Sequence, residues 1–142
     1  MAIETTTEVL DEIRRHGEET FPYECCGFLL GTQNGESKTL LELRSAENEK
    51  EENLERRFLI TPQKYMQAER YALSQGLDVL GFYHSHPDHP ARPSQFDLDH
   101  AWPNQSYIIV SIMNGKSDAL TSWVLKEDRS AFDEEPIGIK EN

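Results

Sequence analysis

An α/β fold in one domain is what the order of elements in this sequence predicts. Two stretches carry apolar residues at helical spacing. Two short apolar runs suit buried strands, and two Asn-Gly pairs stand between strand-like segments where hairpins turn. The 142 residues suit a single core, large enough to need no disulfide or metal staple, and no second domain is expected across 1–142.

From about Thr7 to Glu19, Val9, Leu10, Ile13 and His16 recur at helical spacing. Threonines ahead of them serve as caps, and Gly17 weakens the end. Phe21-Pro22-Tyr23 breaks that helix, and Cys25 to Leu30 reads as a strand buried on both faces, with Glu24 at its mouth. Gln33-Asn34-Gly35 turns the chain into a second strand near 38–46. The stretch 47–57, ENEKEENLERR, is dense in charge and reads as a solvated loop. Phe58-Leu59-Ile60 is a short strand candidate. Thr61-Pro62 then caps and opens a helix to about Gln75, whose buried side is expected to hold Tyr65, Met66, Tyr71, Ala72 and Leu73, with Gly76 as its stop. Leu77 to Tyr83 is a core strand, and Ser94 to about Trp102 a short helix stopped by Pro103. Tyr107–Met113 and Ala119–Lys126 form a second hairpin about Asn114-Gly115. In the acidic tail, 127–142, Phe132, Ile137 and Ile139 could anchor one more edge strand.

Composition narrows the partners. Twenty-six acidic against 14 basic side chains give a formal charge of -12, which repels nucleic acid and anionic membrane and favours a partner with a basic surface. No apolar run approaches the ~20 residues of a membrane span, and the amino-terminal stretch lacks the pattern of a secretory leader. Cys25 and Cys26 are adjacent, poor geometry for a bridge to each other, and read as small buried strand residues. A soluble cytoplasmic protein with reduced thiols is the expectation.

The chemistry concentrates in 80–97, LGFYHSHPDHPARPSQFD. His84 and His86 lie two apart at the end of an apolar run, so on a strand both rings leave one face and can share a metal. Three prolines, Pro87, Pro90 and Pro93, end the strand, and Ser94-Gln95-Phe96-Asp97 has the Ser-x-x-acid pattern that opens a helix and could turn Asp97 back over the histidines. Two imidazole nitrogens and a carboxylate suit Zn2+ and leave a fourth position for water, the arrangement of a catalytic site. Asp88 and Asp99 compete for the carboxylate role, but Asp97 sits one turn along the same helix face as Ser94. His89, in a proline-rich loop, and His100, beyond Asp97, read as surface residues, and His16 as a helix-face residue. Hydrolysis also needs a carboxylate that is not a ligand to carry protons. Glu24 is the candidate, against the plainer reading of a surface glutamate at a strand end. Ser94 is open in the same way: a helix cap, an oxyanion donor, or both. Tyr107, Trp102 and Trp123 read as core or pocket wall.

Together these residues resemble the JAMM (MPN+) zinc metallopeptidases: a distant glutamate, then His-x-His, seven residues, and Ser-x-x-Asp. The matches are Glu24 ahead of Cys26-Gly27-Phe28-Leu29-Leu30-Gly31, His84-Ser85-His86-Pro87, and Ser94 to Asp97, with seven residues between His86 and Ser94. The likeness runs from about Phe21 to Leu125. It implies a fold similar to cytidine deaminases, a mixed sheet flanked by helices. It implies one Zn2+ held by His84, His86 and Asp97, Glu24 as general acid/base, and Ser94 at the oxyanion. By the same resemblance, the substrate is the bond after the C-terminal Gly-Gly of a ubiquitin-like or sulfur-carrier protein, as in short bacterial members that release a C-terminal amino acid. The rival readings are a non-catalytic MPN-type module that binds proteins and a zinc deaminase. The first would be expected to lack one of these positions, and the second lacks its Pro-Cys-x-x-Cys stretch here.

Overall fold

The computed structural model describes residues 2–46 and 60–140. Chain order is β1 (Ile3–Thr5), α1 (Thr7–Thr20), β2 (Cys26–Asn34), β3 (Ser37–Ala46), α2 (Pro62–Ser74), β4 (Asp78–Pro87), α3 (Gln95–His100), β5 (Ser106–Met113), β6 (Lys116–Leu125), β7 (Phe132–Glu135) and β8 (Ile137–Ile139). These strands form one mixed sheet in the order β7-β6-β5-β4-β2-β3-β1-β8, flanked by the helices as expected. The charged segment 47–57 and most of the strand candidate at Phe58-Leu59-Ile60 lie outside the described residues. Ile60 itself is not in a strand.

The two hairpins form where Asn-Gly places them: Gly35, Asn114 and Gly115 all take positive φ, the backbone such turns demand. Thr6 caps α1 by accepting from Val9 N–H, and Thr61 caps α2 by accepting from Lys64 N–H. Gly17 does not end α1. It is buried within the helix, where a Cβ would come within 2.8 Å of Ile112 Cδ1 and 3.3 Å of Ser85 Cβ, so it marks close approach of helix and sheet. α2 corrects its expected face. Ala68 and Ala72 are the buried residues, Tyr65 and Tyr71 straddle the flanks, and Met66 and Leu73 are exposed at 50% and 78%. Two small residues one turn apart let the helix lie low over Phe28 and Phe82, which leaves no room beneath it for larger side chains. α3 stops at His100, two residues before Trp102, because Ala101 is already extended.

Both sheet faces are covered, which is why β2 and β4 read as continuous apolar runs. One core packs α1 through Leu10 and Ile13 against Leu29, Leu80, Tyr83, Ile108, Val110 and Ile112. The other packs α2 against Phe28, Leu30, Phe82, Tyr107 and Leu125. Tyr83 lies over Gly27 on the neighbouring strand and bonds His16 Nδ1 at 2.9 Å, which half-buries that histidine.

The tail supplies two strands rather than one, at opposite edges: β7 pairs antiparallel with β6, and β8 parallel with β1. Only Pro136 separates them. The edges of a flat eight-stranded sheet would stand about 34 Å apart at ~4.8 Å per strand, whereas one residue bridges at most ~7 Å, so the sheet rolls around the α1 core until its edges meet. A buried polar group holds the seam. Lys38 Nζ donates to Ser106 Oγ (2.7 Å), and the hydroxyls of Ser106 and Ser122 both donate to Glu135 Oε1 (2.8 Å each). Glu135 Oε2 stands 3.7 Å from Lys38 Nζ, so each buried charge is met by opposite charge and hydrogen bonds.

Candidate metal centre

β4 runs antiparallel to β2 and parallel to β5. The chain leaves β4 through the loop at 88–94 and α3 before returning as β5, so the end of β4 opens into a crevice of the kind that parallel strands create. Phe82, His84 and His86 share the β4 face that points away from α1. The register pairs Phe28 with Phe82 and Cys26 with His84. The paired stretch ends there, but Ser85 still bonds the Cys25 backbone beyond it, which holds Glu24, the next residue, at the end of β4. Glu24 is therefore no surface residue: it is 4% exposed, and its Oε1 is buried with no hydrogen-bond partner among the described residues.

α3 supplies the third group. Ser94 Oγ accepts Asp97 N–H at 3.0 Å while Ser94 N–H donates to Asp97 Oδ2 at 2.8 Å, a complete capping box that aims the carboxylate inward. His84 Nε2 and His86 Nε2 stand 3.1 Å apart. Asp97 Oδ1 is 3.4 Å from the first and Oδ2 is 3.2 Å from the second. The three buried groups present ligand atoms all within 4.8 Å of one another.

This donor set fits a cation. His86 Nδ1 lies 2.9 Å from the Pro90 carbonyl, which can only accept, so Nδ1 carries a proton and the ring is held with Nε2 toward the Asp97 carboxylate. Two imidazoles and a carboxylate whose ligand atoms converge within 4.8 Å are a donor set suited to a divalent cation. Burial pushes the His84 imidazole down and keeps it neutral. For Asp97, burial alone would raise the carboxyl, but the facing imidazoles of His84 and His86 outweigh it and hold the group well below the usual carboxylate range. The Glu24 carboxyl goes the other way, to about 9, by burial first and by the nearby Asp97 second. Two carboxyl groups in one site with opposed shifts suit two roles, one as ligand and one as proton carrier.

All five residues singled out in the sequence converge here: Glu24, His86 and Ser94 line one cleft, and the ligand atoms of His84 and Asp97 lie within 4.8 Å of that of His86. His89 also lines that cleft, whereas His100 stacks on Phe96 and lines a separate aromatic hollow with Phe82, Trp102 and Tyr107. Neither is part of the cluster that could hold a metal. Cys25 and Cys26 are both buried, but only Cys26 lies in β2 and Cys25 just precedes it; burial pushes the Cys25 thiol up to about 12, which keeps it unreactive.

Three further contributors were not apparent from the sequence. Ser85, between the histidines, faces away from them and bonds the backbone beside Glu24: its Oγ accepts Cys25 N–H at 2.8 Å, and its own N–H donates to Cys25 O at 3.2 Å. No local pattern announces that pairing. The Pro90 carbonyl, which orients His86, is equally silent in a sequence. Arg92, exposed on the cleft wall, had a visible signal: it is the only lysine or arginine between Leu80 and Asp97.

The family model described as prokaryotic homologs of the JAB domain matches residues 6–126. A desampylase of Pyrococcus furiosus is 33% identical over 106 residues, 73% of this chain and 68% of that protein. A solution structure of a Salinibacter ruber protein is 46% identical, covers 97% of this chain and 92% of its own, and superposes with a TM-score of 0.77. One from Desulfitobacterium hafniense is 31% identical, covers 99% and 94%, and reaches a TM-score of 0.86.

Proposed function

The chain belongs to the family of prokaryotic homologues of the JAB domain and is a hydrolase of the JAMM type, and from that premise we propose that it is a zinc-dependent metallopeptidase. On this reading it hydrolyses the peptide or isopeptide bond after the C-terminal Gly-Gly of a ubiquitin-like or sulfur-carrier protein. The observation that carries the reading is the convergence of His84, His86 and Asp97 beside a buried carboxyl, Glu24, whose Oε1 has no hydrogen-bond partner among the described residues. The desampylase relatives act on conjugates of ubiquitin-like proteins, which supports that class of substrate.

His84, His86 and Asp97 would hold one zinc ion per chain. When bound, the ion supplies Lewis-acid polarisation of the scissile carbonyl and lowers the pKa of water. The remaining work falls to the chain. Glu24 accepts a proton from the attacking water and returns it to the departing amine, a transfer suited to a carboxyl whose affinity for protons has been raised. Ser94, whose Oγ already accepts from Asp97 N–H, keeps its own proton to donate to the oxygen of the scissile carbonyl as negative charge develops there. Pro90 and the capping box hold His86 and Asp97 so that neither must reorganise. Buried, reduced Cys25 and Cys26 suit a cytoplasmic setting.

Metal content and cleavage of a ubiquitin-like protein extended past its Gly-Gly test the reading. The expected result is about one zinc per chain and cleavage that Glu24→Gln reduces by a factor of about 100 or more while zinc is retained. A protein that binds zinc and cleaves no Gly-Gly-extended carrier would instead be a binding module of the same fold. A protein that binds no metal would overturn the roles of His84, His86 and Asp97.

A further inference from the structure

The cleft that contains Glu24, His86 and Ser94 has a charge unlike that of the molecule. The chain carries a net -12, yet the exposed charged side chain on the cleft wall is a cation, Arg92, and the one non-ligand carboxyl there, Glu24, is buried. Among the described residues the Arg92 guanidinium makes no ion pair or side-chain hydrogen bond, although the groove on its other side includes Asp118 and Glu134.

The backbone beneath Arg92 is held from several directions. Pro90 and Pro93 flank it, and Ala91 beside it is buried. Arg92 N–H donates to Pro90 O at 2.8 Å. Thr121 Oγ1 donates to Ala91 O at 2.6 Å and Ser111 Oγ to His89 O at 2.5 Å, while Asp88 accepts from Asn114 N–H at 2.8 Å. A long flexible cation thus rises from a base that cannot drift, two residues from Ser94. A guanidinium recognises a carboxylate through two parallel hydrogen bonds, and the pairing is worth most where its position is set beforehand.

Building on the metallopeptidase reading, we propose that Arg92 is a specificity-determining residue that binds the free α-carboxylate of the leaving group. The acyl side of the scissile bond is Gly-Gly and offers no carboxylate of its own. An isopeptide leaving group is a lysine side chain on a folded protein, with no carboxylate near its amine. A single residue or short peptide attached after Gly-Gly ends in one. The preferred reaction is therefore removal of a C-terminal residue: water adds hydroxide to the glycine carbonyl carbon, the C–N bond breaks, and the released amine takes the proton. The carrier regains its Gly-Gly carboxylate and the amino acid departs.

The test uses the zinc-loaded full chain and ubiquitin extended after Gly-Gly by one alanine, prepared as the free acid and as the carboxamide. Wild type is expected to cleave the acid with a kcat/KM about tenfold or more above the amide, the scale of a charge-assisted hydrogen bond. In Arg92→Ala that ratio falls to about one, and Arg92→Lys restores part of it. Equal rates on acid and amide by wild type, or equal loss on both in Arg92→Ala, would overturn the proposal and leave the metallopeptidase reading standing. Binding is measured in parallel with Glu24→Gln, which separates recognition from turnover. Tighter binding of acid than amide, lost in the Glu24→Gln, Arg92→Ala double variant, supports Arg92 even where no bond is cut. Indifference to the carboxylate in both assays sinks it.

Discussion

Ser85 and Cys25 are joined twice: the Ser85 hydroxyl accepts Cys25 N–H at 2.8 Å, and Ser85 N–H donates to the Cys25 carbonyl at 3.2 Å. The histidine strand thereby clamps the residue next to Glu24, and the clamp sits where the β2–β4 ladder would otherwise fray. A strand end left to itself is loose. Here Glu24 is tied to the same strand as two of the three residues that could hold a metal ion.

Replacing Ser85 with Ala removes the side-chain half of that clamp. The hydroxyl is buried and its loss leaves Cys25 N–H unpaired, so stability falls by about 1–3 kcal/mol. Activity is expected to fall about tenfold or more in kcat with KM and zinc content little changed, because Glu24 loses its position rather than its chemistry. A variant whose kcat equals that of wild type would show that the clamp does not position Glu24.

The cap that Ser94 forms and the oxyanion role proposed for it can be separated by substitution. Glycine at an N-cap costs only a few tenths of a kcal/mol relative to serine, whereas loss of an oxyanion donor costs about 100- to 1000-fold in kcat. Ser94→Gly is expected to melt close to wild type and bind zinc, yet turn over slowly. Near-normal turnover would leave Ser94 as a cap alone.

Glu24 makes the metal-free protein sensitive to pH. Its folded pKa, about 9, lies above the ordinary 4.5, so the folded state holds a proton that the unfolded state has released. The stability this group contributes is present below about 4.5 and is lost as pH rises through about 9. The histidines His84, fully buried, and His16, half-buried, are shifted down from 6.5, and their contribution changes only below that value, so it is constant above pH 7. Asp97, shifted down from 3.8, changes lower still. The chelator-treated protein should therefore lose melting temperature between pH 7 and 9, and Glu24→Gln should flatten that slope. Parallel slopes in the two proteins would refute the assignment.

The histidine pair was legible because a strand has a period of two and nothing else is needed to put both rings on one face. Asp97 was legible through the spacing that builds a capping box, and the turn residues Asn34-Gly35 and Asn114-Gly115 through their backbone freedom. Glu24 was different. The residues around it favour a surface reading, and its burial follows from the register between β2 and a strand some 60 residues away, which no local pattern encodes. The same limit explains α2: the heavier side chains suggest the buried face, but the small ones decide how near the sheet a helix can come. β1 and the double use of the tail were missed because three-residue strands carry too few positions to show alternation, and their partners are set by the rolling of the whole sheet.

The segment from Phe132 to Ile139 covers both outer strands of the sheet, β6 with its first half and β1 with its second. Ile3 meets Ile137 across nearly the full length of the chain. Contacts so far apart in sequence form late, after the local hairpins have closed. Until they do, β1 and β6 both present unpaired backbone to solvent, the feature through which sheets recruit other chains. Protection against such self-association is therefore all or nothing: one short segment, hinged at Pro136, shields both margins together, and whatever lifts it bares both together.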